Sequence, residues 1–325
     1  MKFNNFSLIL KSLSVFTLAF GLVNCKSDKI AVEEVYDFSK TFPVVVVTPV
    51  VITPPAATTY TAGSITVSAA FTALATSTTP PVELLNASAK ISPTLISAAT
   101  ATLTPAVLAD IKAGKPLSAA VQKALNDLLK TGELNAFLPT KTLPSVDGKP
   151  VGGRIGLISG KTNVFNDNTQ MFSTANACND EILKSYNVAK KILDDGLAAD
   201  IVKINAAYDT NIKLADVSAE KAAALKRRDD KRIELNVVKD NALKSTDLSI
   251  VATALAIYQA NYDANDQVYD AEIIGLDAKA KSITDKANVA KQTDTKKATD
   301  DYNAKLTPIT TLYNVENNKC HNQGG

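Results

Sequence analysis

The chain of 325 residues holds a single histidine, His321, and three cysteines, Cys25, Cys178 and Cys320. A lone His next to a tail Cys has no third group to orient it, so a Cys-His nucleophile is not expected. With no second His and no paired-Cys motif, neither is a zinc centre. A serine hydrolase needs a Gly-x-Ser-x-Gly elbow or a separate His, and neither is present. The chain reads as not an enzyme, with no cofactor. Charge is missing from residues 41–82, and proline is missing from Val151 to Thr307. Beyond the N-terminus there is no second apolar run free of proline that reaches the ~20 residues of a spanning helix.

What is present begins with a leader. Lys2 and Lys11 give a basic start, and Ser12–Leu22 is an apolar run of signal-peptide length. Leu22-Val23-Asn24-Cys25 follows. It resembles the lipobox of bacterial lipoproteins in a relaxed, spirochaete-type form, with Val23 and Asn24 in place of the commoner small residues. The resemblance covers only the first 25 residues or so. It implies cleavage before Cys25, acylation (palmitate) of that Cys, and tethering to the cell envelope, most simply the outer membrane. Two or more acyl chains hold firmly, since each buried methylene contributes ~0.8 kcal/mol. The mature chain is then expected outside the cytoplasm and soluble apart from its anchor. Removal of residues 1–24 takes away two Lys and no acid, so 35 bases against 33 acids becomes an even balance. Nothing in that balance favours nucleic acid or an anionic membrane surface. With Cys25 lipidated, Cys178 and Cys320 form an even pair in an oxidising compartment, which reads as a disulfide.

Residues 25–82 read as the lipidated Cys and a Pro/Thr/Val-rich tether, a polyproline-like stalk. Val44–Val51 or Ser64–Ala73 packed as strands against the body is the alternative. Residues 83–139 read as a small cluster of short helices. Ser92 and Thr104 are candidate caps ahead of Pro93 and Pro105, and Ser118 opens a helix ended by Gly132. Residues 140–172 read as a Gly/Asn-rich connector with a turn at Val146-Asp147-Gly148-Lys149, and Ile155–Ile158 as a short strand.

Residues 173–320 carry apolar positions at helical spacing, followed by a tail at 321–325. One series is Ile182, Tyr186, Ala189, Leu193, Leu197, Ile201, Ile204 and Tyr208; another runs from Val251 to Ala290. The mean step is about 3.65 residues, nearer an eleven-residue repeat than a heptad. The best reversal is Lys244–Ser249, with Asp247 or Thr246 as cap. Cys178 precedes Ser245 by 67 residues and Cys320 follows Asp247 by 73. One antiparallel hairpin, ~100 Å long at ~1.5 Å per residue, therefore brings the two cysteines to the same end. A three-helix path with an extra reversal at Ala215–Ser218 places them at opposite ends, beyond the ~7 Å that a disulfide allows. The fold class expected is all-α: a long coiled-coil-like hairpin, a small helical cluster and an N-terminal stalk.

Three further stretches invite functional readings. Gly156–Thr162 misses the spacing of a phosphate loop by one residue and reads as a turn. Asp263–Gln267 resembles half a calcium loop, but Val268 stands where Gly is needed and Ile274 where Glu is needed. Lys226–Arg232 mixes both signs and suits an exposed helix with internal ion pairs. The function expected is a membrane-anchored binding or adhesion module. Spirochaete-type lipoproteins often bind host matrix or complement proteins, which the resemblance implies by analogy only. The alternatives are a structural periplasmic spacer or envelope-assembly subunit, self-associating through its Ala-rich stripe, and a carrier of a small apolar ligand held by Tyr258, Tyr262 and Tyr269.

Overall fold

The computed structural model describes residues 37–38, 41–77, 79–151 and 177–322. The leader, Cys25, the 156–162 turn and the strand at 155–158 lie outside the described residues.

The apolar spacing of residues 177–322 produces three helices: α6 (Ala177–Lys213), α7 (Ser218–Ala242) and α8 (Leu248–Asn322). α8 is one unbroken helix of 75 residues, about 110 Å long. Both α6 and α7 pack along it, so they form one arm and α8 the other. The only reversal between them is at 243–247, where Asp247 accepts the Ser249 amide at 2.8 Å and starts α8. The 214–217 break interrupts the first arm without reversing it, and Asp216 accepts the Ser218 amide there at 2.9 Å. Cys178 and Cys320 meet at the base, their Cα atoms 5.7 Å apart and their sulfurs at bonding distance. Pro308 lies inside α8. It removes one helical hydrogen bond, a change that costs ~3 kcal/mol in a helix interior. Packing holds the helix on both sides of it, through Tyr302 and Leu306 before and the buried Ile309 and the Tyr186–Tyr313 ring contact after.

At the tip, five short helices make a cap: α1 (Ala69–Thr76), α2 (Val82–Lys90), α3 (Pro93–Thr102), α4 (Pro105–Lys112) and α5 (Ala119–Leu129). Thr104 and Ser118 cap α4 and α5 through their hydroxyls, and Gly132 ends the following turn at φ +82°. Ser92 precedes α3 without a side-chain capping hydrogen bond, although Pro93 takes the first helical position as expected. The cap has no core of its own. Leu84, Leu103, Leu125, Leu128 and Phe137 share one with Leu235, Val238 and Ile250–Ile257 of the hairpin tip. The cluster also starts earlier than residue 83, since α1 packs on α7 and Asn241 donates to the carbonyls of Leu74 and Ala75.

The expected stalk is not a free spacer. Residues 41–66 run along the hairpin as a strap. Phe42, Val45 and Val47 pack on Ala189, Leu193 and Ile309 near the base. Farther on, the Val50 amide donates to Asp200 and the Thr53 amide and hydroxyl to Asp294. The absence of charge, which suggested a solvated stalk, instead lets the segment lie against helices without burying unpaired ions. Its prolines, Pro43, Pro49, Pro54 and Pro55, fit because residues 41–59 make no sheet ladder. An extended chain rises ~3.3 Å per residue against ~1.5 Å for a helix, so each strap residue passes about two of α8.

Near the cap the strap does become strand. β1 (Tyr60–Thr61) pairs with β4 (Ser145–Val146), which pairs with β5 (Lys149–Pro150); β2 (Ser64–Thr66) pairs with β3 (Thr140–Thr142). The connector is thus in part a hairpin. Its turn has Asp147 at φ +51° and Gly148 at φ +73°, the double left-handed conformation of a two-residue hairpin loop.

Candidate functional site

Among the described residues, two of the clefts beside the hairpin near the cap hold residues singled out in the sequence. The first, about 250 Å³, lies between β2 and the α7–α8 pair. Here the Lys226–Arg232 run is not just an exposed helix with internal pairs. Lys226–Asp230 and Arg228–Asp229 are internal, but Arg227 donates across to Glu272 of α8 at 2.8 Å. Arg228 stands over the Tyr269 ring, 4.5 Å from its centre. The buried Asn265 amide donates to the Arg228 carbonyl. Glu272 is 3% exposed. It lies in what spacing alone marks as a solvated face, and an Arg partner makes that burial tolerable. These charges are spent on each other, so the cleft is a clasp between α7 and α8.

Asp263–Gln267 stays helical, and its carboxylates diverge. Asp263 accepts from Gln259, while Asp266 receives three guanidinium hydrogen bonds from Arg232, at 3.1, 2.8 and 2.7 Å. Among the described residues no three His, Cys, Asp or Glu side chains gather as metal ligands would.

The second cleft, about 350 Å³, opens between the cap loop at 114–117 and the opposite face of the hairpin. Two of the three tyrosines expected at an apolar site line it, Tyr258 and Tyr262, with ring centres 5.7 Å apart. Tyr269 lines the other cleft, because seven residues along α8 carry it past the edge of the cap. The site is not apolar. Asn236 and Lys239 of α7, one helical turn apart, share it with the tyrosines. Tyr258 donates its hydroxyl to Asn236 at 3.1 Å, and burial pushes that hydroxyl up to a pKa of about 12. Arg232 stands over the Tyr262 ring at 4.7 Å while paired with Asp266, which fixes the ring. Lys239 is 8% exposed as a residue, and its nearest acid is Asp240 at 3.8 Å, too long for a hydrogen bond.

Tyrosine spacing pointed to this cleft. Asn236 and Lys239 were missed because they carry no motif, and only the cap loop encloses them.

Comparison with protein-family models, with curated proteins and with solved structures found no match in any of the three.

Proposed function

We propose that the chain is a lipid-anchored cell-envelope protein that presents a non-catalytic binding surface at the far end of a rigid rod. The direction of the strap carries this reading. Cys25 stands seventeen residues before Phe42, and Phe42 packs beside Tyr302 and Leu306 near the disulfide. The tyrosine-lined cleft lies forty residues of α8 farther on, about 60 Å away. An anchor at one end and a cleft at the other suit a partner that approaches from outside the membrane. Host proteins fit the lipobox resemblance, and other envelope proteins fit a spacer role.

The anchor is tested by Cys25→Ser. The variant is expected to lose palmitate labelling and leave the membrane fraction; continued labelling sinks the proposal. Protease treatment of intact cells reports orientation. Loss of the cap supports surface display, and protection supports a partner within the envelope.

A further inference from the structure

We propose that the pocket at the tip of the rod, between the α1–α2 connection and the 243–247 reversal, binds a small uncharged apolar molecule, a single ring or a compact alkyl group. The site is separate from the two clefts described above, and its occupancy does not depend on the anchoring of the chain.

The floor is carbon from four helices. Leu74 of α1, Leu84 of α2, Val238 and Ala242 of α7, and Ile250 and Ala254 of α8 line it, none more than 8% exposed. All six belong to the main core, which is left open at this end over about 260 Å³. Protein cores ordinarily leave few voids larger than a water molecule. An apolar cavity of ~150 Å³ already admits benzene, so this volume takes one ring with a short substituent.

The polar groups around the floor are satisfied without a ligand. Asn241 donates to the Leu74 and Ala75 carbonyls and accepts from Lys244 at 2.9 Å. The Ser77 hydroxyl donates to the Thr79 carbonyl, and Ser245 accepts the Asp247 amide. Thr79 and Thr246 are exposed, so their hydroxyls meet water. Among the described residues, no buried side-chain polar atom of this lining lacks a partner. Lys244 is the only ionisable side chain of the lining, and it too is exposed. A charged molecule would lose hydration here without replacement, whereas water over an apolar floor yields to an apolar group at a gain.

The walls have a fixed shape. Pro80 and Pro81 line one side, with restricted φ and no amide to satisfy. Asn241 latches the end of α1 to α7, and Asp247 caps the start of α8. A preformed site spares the ligand the cost of ordering it.

The test is calorimetric titration of the purified full-length chain with toluene and indole, beside benzoate and benzylamine, which are of like size and charged. At least one neutral compound is expected to bind below millimolar concentration, and each charged one at least about tenfold more weakly. Ala242→Leu, which enlarges a floor side chain, is expected to lower the affinity for the neutral compound about tenfold or more. A measurement on the unaltered chain guards against a variant that misfolds. An uncharged aryl diazirine, activated by light and mapped by mass spectrometry, is expected to label residues 74–84 or 238–254, and the neutral compound that binds is expected to suppress that labelling. The proposal is overturned by no binding of either neutral compound at millimolar concentration, by equal binding of a charged one, or by unchanged affinity in a folded Ala242→Leu chain. Labelling confined to other residues, or labelling at these residues that the neutral compound leaves unchanged, overturns it as well.

Discussion

Gly196 has no side chain because Val47 of the strap occupies the space. A Cβ at Gly196 meets a Val47 methyl carbon at 2.5 Å, and one at Gly275 meets the Tyr60 ring and Pro144 at 3.2–3.3 Å. In sequence these two glycines only interrupt a helical run. In the fold both are seats for the strap or the small hairpin beside it. Gly→Ala within a helix ordinarily stabilises by about 1 kcal/mol. At Gly196 the stiff, branched Val47 opposes that gain. Gly196→Ala is therefore expected to leave the melting temperature flat or lower and to expose residues 41–59 to limited proteolysis. A higher melting temperature with the strap still protected contradicts a tight seat. Asp294, 2% exposed, does comparable work by accepting two hydrogen bonds from Thr53. Asp294→Ala is expected to cost about 1–3 kcal/mol, seen as faster hydrogen exchange at the Thr53 amide.

Among the elements, the β4–β5 turn ties three parts of the chain together through one carboxylate. Asp147 accepts from the Thr59 amide, the Ser282 hydroxyl and the Lys286 ammonium. The hydrogen bond from Lys286 first, and that from Thr59 next, hold the Asp147 carboxyl down to a pKa of about 2. A depressed carboxylate stabilises the folded form above its ordinary value of about 3.9, and that contribution is lost as pH falls through the folded value. The clasp on the strap is thus expected to loosen from about pH 4 down to about pH 2, read as accelerating exchange at Thr59. Asp147→Asn, which tolerates the left-handed turn, is expected to weaken the clasp at neutral pH and flatten this acid response. An unchanged response assigns the acid sensitivity elsewhere. The turn itself was legible from Asp147-Gly148, as were the helix starts at Thr104, Ser118 and Asp247. The strap was not. Val, Thr and Pro without charge suit an extended segment equally well whether it stands in water or lies on a helix.

For the whole molecule, the disulfide joins residues 142 apart and closes the base of a rod whose main core is at the opposite end. Such a loop is nominally worth ~5 kcal/mol in the chain-entropy model, less where the two ends open independently. Reduction is therefore expected to raise exchange around Ala189, Leu193 and Ile309 while leaving Leu255 and Leu276 near the cap protected. Uniform loss of protection along α8 contradicts this division. The sequence by itself determined the helices, their single reversal and the meeting of Cys178 with Cys320, because helical rise and arm length are local, additive properties. It also placed two tyrosines at what became the cleft. Only the tertiary structure decided that residues 41–66 lie on the hairpin and that α1 joins the cap. The same is true of the burial of Asp200, Asp294, Glu272 and Lys239. The spacing of a side chain marks its face on one helix, whereas what covers that face comes from chain more than a hundred residues away, or from the facing helix.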